Sequence, residues 1–152
     1  MFGNRQSWNQ GYVIGLLAAL TVTPAIAQTA NFGTFTLGAD NSAATVTGTT
    51  GGATSLPAII SNSDRNRHKC LGFGDPKPDH VMVLQKPFAN LTLKVNNGNT
   101  DNTLIVVGPK DVVRCGDALL EDGDWQAGTY QIWVGAAEPG SRKDYRLSVR
   151  GK

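Results

Sequence analysis

Asp117, Glu121, Asp122 and Asp124 fall within eight consecutive positions, with Asp101 a short way upstream. Calcium takes roughly six to eight oxygen ligands from carboxylates and carbonyls. This acidic stretch, opened by Gly123, offers part of such a shell, although its spacing is not that of an EF-hand loop. Calcium is the one cofactor these residue types suggest; the competing reading is a solvated acidic loop between strands.

Cys70 and Cys115 offer a second chemistry. In an exported chain two cysteines read most simply as one disulfide. It would close a loop of about 46 residues, worth roughly 4 kcal/mol in the chain-entropy account. A metal site shared with His68 and His80 is the alternative. His68-Lys69-Cys70 lacks the usual ligand spacing, and there is no CxxC or HExxH pattern. Catalytic constellations are poor: two histidines, no GxSxG and no free thiol. His80 beside Asp79 comes nearest to an oriented base, and a histidine bonded to its neighbours where a strand starts explains it equally well.

Two further groups suggest ligand binding. Tyr130, Ile132 and Val134 share one strand face, so alternation sends Trp133 outward as a stacking platform for sugar rings or peptide prolines. A loop carrying Glu138-Pro139-Gly140 could instead roof it. Trp125 reads as a plug for one end of the fold. Arg146 and Arg150 share the polar face of the last strand, with Arg142, Lys143 and Lys152 flanking. That cationic face suits an acidic polysaccharide; charges there also discourage edge pairing.

The elements that must position these residues are strands. His80–Leu84 is a short strand with Val81 and Val83 on one face and Met82 and Leu84 on the other. Asn90–Asn96 alternates apolar and polar residues, Tyr130, Ile132 and Val134 share a face in Thr129–Gly135 as Tyr145, Leu147 and Val149 do in Asp144–Arg150, and Thr103–Val107 is apolar on both faces. Gly108-Pro109-Lys110-Asp111 is a turn that returns Val112–Cys115 as a hairpin partner. Residues 57–78 are turn-rich, with a basic run at Arg65, Arg67, His68 and Lys69 that reads as a solvated loop. Residues 28–56 are rich in Gly, Ala, Ser and Thr, and a strand is expected near Ala44–Gly48. No stretch sustains a helical period, so an antiparallel sandwich or barrel is expected.

Ahead of this lies an export leader. Arg5 supplies positive charge, Tyr12–Val22 is apolar and uncharged, Pro24 breaks a helix, and Ala25-Ile26-Ala27 is a small-x-small cleavage pattern. The apolar stretch falls short of the roughly 20 residues a bilayer span needs. Cleavage leaves 125 residues, one domain, with 13 basic residues against 12 acidic ones. Such a balance argues against a nucleic-acid partner and gives no general attraction to membranes.

The order Cys70-Leu-Gly-Phe, Pro78-Asp79-His80, Leu91-x-Leu-x-Val95, Asn102-Thr103-Leu104-x-Val106-x-Gly108-Pro109, Cys115-Gly-Asp117 and Gly128-Thr-Tyr130-x-Ile-Trp133-Val-Gly135 resembles the bacterial pre-peptidase C-terminal domain family. The similarity covers residues 48 to 149 and is greatest to small, stand-alone exported members of cyanobacterial type. It implies an all-β fold, an antiparallel jelly-roll-like β-sandwich preceded by a signal-peptide helix. The chain then divides into a leader (1–27), a Gly/Ser/Thr-rich segment (28–47) and the sandwich (48–152). It also implies an accessory, non-catalytic role, with calcium or polymer binding in some members. Here Asp117 is followed by Ala118-Leu119-Leu120, where the family continues with paired acids. The expected function is a secreted or periplasmic module that binds envelope or matrix polysaccharide or protein. A hydrolase-associated factor and a self-assembling surface component are the alternatives.

Overall fold

The computed structural model describes residues 29–98 and 101–152, so the expected export leader and its signal-peptide helix lie outside the described residues. In chain order the strands are β1 (Thr34–Leu37), β2 (Ala43–Thr49), β3 (Thr54–Ser55), β4 (Phe73–Gly74), β5 (His80–Leu84) and β6 (Phe88–Asn96). They continue with β7 (Asn102–Val107), β8 (Val113–Gly116), β9 (Leu119–Trp125), β10 (Gly128–Ala136) and β11 (Asp144–Gly151). One four-residue helical turn, Leu56–Ile59, follows β3.

Two sheets pack face to face, as the all-β sandwich expected from the alternation requires. In the first, β10 lies between β5 and β7, β1 extends the β5 side, β8 extends the β7 side, and the short β4 and β3 run alongside the end of β10. The second runs β2-β11-β6-β9. All pairings are antiparallel except β1 with β5. The inward columns fill one core: Leu91, Leu93 and Val95 from β6 meet Leu104 and Val106 from β7 and Tyr130, Ile132 and Val134 from β10. Each column is the apolar half of a period-two pattern, because consecutive side chains on a strand leave by opposite faces.

Two expectations change here. The sandwich begins at Thr34 rather than at residue 48: β1 pairs with β5 over four residues and β2 with β11 over seven. Threonine, valine and phenylalanine at alternate positions make this polar-looking segment strand-competent. The acidic stretch is also not a loop. Its residues 119–125 form β9, an edge strand paired with β6, held by the inward side chains of Leu120 and Trp125. Charges at an edge are tolerated because one side of the strand faces water.

The segment 56–79 folds back over the outer face of the first sheet. Cys70 is disulfide-bonded to Cys115 on β8. Under this cover a second apolar cluster forms from Leu56, Cys70, Ile105, Cys115 and Trp133. The irregular stretch is therefore a lid over the β7 and β8 side of that sheet face, pinned at its middle.

Candidate functional site

The acidic residues are best followed from Arg114. It lies on β8 opposite Val106, with its side chain turned into the sandwich and 3% exposed. Its Nε donates to Asp122 Oδ2 at 2.9 Å, and Nη2 donates to the carbonyls of Gly123 at 3.2 Å and Asp124 at 2.9 Å. The guanidinium carbon sits 4.0 Å from the Trp125 ring centroid. Trp125 Nε1 in turn donates to the Asp122 carbonyl at 2.8 Å. One cation thus ties β8 of the first sheet to β9 of the second, with Nε and Nη2 both engaged, as a buried charge requires of its donors.

Arg65, from the lid, reinforces the same place. Nη1 donates to the Gly123 carbonyl at 3.1 Å and Nη2 to Asp124 Oδ2 at 3.2 Å. Asp64 shapes the loop that carries it. Its Oδ1 accepts the Asn66 and His68 amides, and Oδ2 accepts the Cys115 amide at 3.2 Å. Burial alone would push this carboxyl up; the His68, Cys115 and Asn66 amides outweigh it and hold it below the usual range.

The five acids read as a calcium shell are consequently not gathered at one place. Asp122 is engaged by Arg114, and Asp124 faces Arg65. Glu121 turns to the outer face beside Thr92. Asp101 and Asp117 line a separate hollow with Leu71 and Phe73. Among the described residues no group of three or more His, Cys, Asp or Glu side chains could hold a metal ion. As a single calcium shell the set does not fit.

Trp133 is not a platform. It is 6% exposed, packed under the lid, and its Nε1 donates to the Pro76 carbonyl at 3.2 Å. Strand alternation does direct it away from the main core, but the disulfide-pinned lid, rather than the loop at Glu138–Gly140, covers it. Trp125 is fully buried in the main core.

Arg146 and Arg150 are exposed on the outer face of the second sheet. Lys94 stands between them, because β11 pairs Arg146 with Asn96, Ser148 with Lys94 and Arg150 with Thr92. Across the other side of β11, the same rows bring Thr47 and Thr45 beside Arg146 and Ser148. The result is a field of cations and hydroxyls, bordered by Glu121 at the end of the Arg150 row and by Asp144 at the start of β11. Among the described residues none of Lys94, Arg146 and Arg150 forms an ion pair. At one end of the field Arg146 borders an open cleft of about 690 Å³ lined by Phe32, Tyr145, Asn96 and Thr47. At the other, Arg150 and Lys152 border a smaller hollow of about 310 Å³.

Beneath the larger cleft lies a buried polar pair. His80 is fully buried, its Nε2 2.9 Å from the Tyr145 hydroxyl, with Phe32 and Phe35 against its ring. Gly48 leaves the space that the Tyr145 hydroxyl occupies; a Cβ there would collide with it. Burial pulls the His80 pKa down to about 4. Asp79 beside it does not orient the ring; its Oδ2 accepts the Val134 amide at 2.7 Å. Burial pushes the Asp79 pKa up to about 6 against that hydrogen bond. The two residues serve the sandwich through separate hydrogen bonds.

Sequence reasoning missed Arg114, Asp64 and Lys94, and it read Arg65 as part of a solvated loop. Only Arg114 left a signal, as a lone charge in the inward column of a strand whose hairpin partner is apolar on both faces.

No family model matches the chain, and no curated protein matches it. The resemblance to the pre-peptidase C-terminal family therefore rests on the quoted motifs alone. Among solved structures, the chain is similar to the crystal structure of Aeromonas hydrophila PliG, a periplasmic lysozyme inhibitor of g-type lysozyme. The TM-score is 0.45 at 16% identity, covering 78% of this chain and 97% of that one.

Two predictions follow from this geometry. Asp122→Ala leaves Arg114 buried without its carboxylate and lowers the unfolding free energy by about 3 kcal/mol. Asp124→Ala, removing a side chain that is 83% exposed, changes it by about 0.5 kcal/mol or less. Urea denaturation in the presence of a calcium chelator separates the two. The second concerns pH. Asp79, raised from 3.8 to about 6, contributes stability that is present below pH 3.8 and lost as pH rises through 6. His80, lowered from 6.5 to about 4, contributes stability that is present above pH 6.5 and lost as pH falls through 4. Each contribution is on the order of 3 kcal/mol, and they oppose. Denaturation midpoints therefore rise with pH across this window in Asp79→Asn, fall in His80→Phe, and change little through this pair in the parent protein.

Proposed function

We propose that the protein is an exported, non-catalytic β-sandwich that binds an acidic polysaccharide of the envelope or extracellular matrix through the outer face of its second sheet. The observation that carries this reading is the exposed field of Lys94, Arg146 and Arg150, set among threonines and without ion-pair partners among the described residues. Three cations on a hydroxyl-lined surface, with Glu121 and Asp144 only at its borders, complement a chain of carboxylates and sugar hydroxyls. On the other sheet the lid covers the outer face around Ile105, Cys115 and Trp133, and the part left open, at Thr34, Thr36, Val83, Thr129 and Gln131, carries no charge. Export is supported by the leader in the sequence and by the disulfide, a bond that persists in oxidising compartments. A non-catalytic role is supported by the use of both cysteines, His80 and Asp79 in holding the fold. The pre-peptidase C-terminal resemblance points the same way.

The test uses alginate, a polyuronate, against neutral dextran in affinity electrophoresis. The protein is retarded by alginate, and the retardation weakens with added salt as screening grows. Arg146→Ser combined with Arg150→Ser lowers the association constant about tenfold or more while leaving thermal stability close to the parent's. Equal retardation by dextran, or alginate binding that survives the double substitution, contradicts the proposal.

A further inference from the structure

The ends of the two sheets are not protected alike. On the first sheet, β8 is covered by the lid, whose Arg65 amide donates to the Val113 carbonyl while Asp64 takes the Cys115 amide. β1 is only four residues long. On the second sheet, β9 carries Glu121, Asp122 and Asp124 and is clasped by Arg114. Short length, covering segments and charges are the usual guards of a sheet edge.

β2 has none of them. It runs for seven residues, Ala-Ala-Thr-Val-Thr-Gly-Thr, with no charge and no proline. Its register with β11 is unbroken from Ala43 to Thr49, so no bulge turns the edge away. The direction of its free hydrogen-bonding groups follows from the ladder. The Thr50 amide donates to Lys143 and the Ser42 carbonyl accepts from Gly151, so even-numbered residues face β11. The amides and carbonyls of Thr45 and Thr47 therefore point to the open side, where no described strand meets them. The Ala43 amide already departs to the Asn41 side chain. The core is also least sealed here: the half-buried apolar residues packed against it are Phe35, Ala44 and Val46, all on β1 and β2.

We propose that β2 is a self-association edge, at which a second copy of this chain adds its own β2 antiparallel about a two-fold axis through Val46. The sequence of the strand selects that occupant. An antiparallel register centred on Val46 places Thr45 opposite Thr47 on the outer face and Ala44 opposite Gly48 on the inner one. Facing threonines stabilise a strand pair, and the small inner residues keep the two cores from crowding. Every residue whose groups point outward meets another such residue, which is what hydrogen-bonded antiparallel pairs require. An uncharged strand offers nothing to a charged peptide but repels no copy of itself. Closure about a two-fold uses both free edges and leaves none to propagate. The joined sheet would carry both cationic faces on one side, their β11 strands roughly 14 Å apart. The association stands whether or not that face binds a polyanion.

Sedimentation velocity of the purified exported protein, from low micromolar to near-millimolar concentration, tests it together with amide hydrogen exchange at both extremes. Dimers are expected, with the Thr45 and Thr47 amides protected at high concentration and exchanging when dilute. Thr45→Lys combined with Thr47→Lys puts lysines opposite one another across the axis, on exposed positions that the monomer's core does not use. It weakens association by roughly tenfold or more. A monomer at every concentration overturns the proposal. So does a dimer that the double substitution leaves intact, or one in which these amides exchange freely.

Discussion

The Arg114 guanidinium joins the two sheets along the side formed by the edge strands β8 and β9. Removing such a charge from water is costly, and here an aspartate, two carbonyls and an indole face replace the lost hydration. The arrangement fixes more than one contact. It turns Asp122 inward, holds the backbone at Gly123 and Asp124 where Arg65 can reach it, and so gives the lid an anchor on both sheets. Apolar side chains alone would close the same gap with less directional preference; the clasp sets which edge strand faces which.

From that anchor the division of the surface follows. The lid is tied at Cys70 to Cys115, at Asp64 to the Cys115 amide and at Arg65 to β9. It lies across the β7 and β8 side of the first sheet and buries Trp133, leaving open on that sheet only the uncharged strip at Thr34, Thr36 and Thr129. The second sheet keeps its outer face bare. There the alternation that fills the core with Leu147 and Val149 leaves Arg146, Ser148 and Arg150 in solvent. The proposed binding surface is the charged part of what remains after one side has been closed by the clasp and the β7 and β8 face by the lid.

Much of this was legible in the sequence, and the parts that were not share a cause. β6 and β11 alternate cleanly because each has one face in the core and one in solvent, and Leu104–Val107 of β7 is apolar throughout because it is covered on both faces. The disulfide followed from two cysteines in a chain that reads as exported. Arg146 and Arg150 lie exposed where alternation places them. The errors arose where a residue's surroundings come from far along the chain. Trp133 does point away from the core, but the lid that buries it begins at Leu56, and nothing local to Trp133 reports it. β9 looked like a loop because its acids outweigh Leu120 and Trp125, and its strand character depends on pairing with β6 some thirty residues earlier. Asp122 looked like a metal ligand for the same reason: its partner, Arg114, lies across the sandwich.

The central claim is that the cations divide by role, Arg114 holding the sheets together inside while Arg146 and Arg150 meet a polyanion outside. Arginine Nε–H resonances report on each side chain separately, and a titration of the isotope-labelled protein with alginate oligomers reads them at once. The Arg146 and Arg150 signals should shift progressively with oligomer while the Arg114 signal stays in place. Shifts centred on Arg114 and Arg65, or none at Arg146 and Arg150 while binding is seen, would contradict the account.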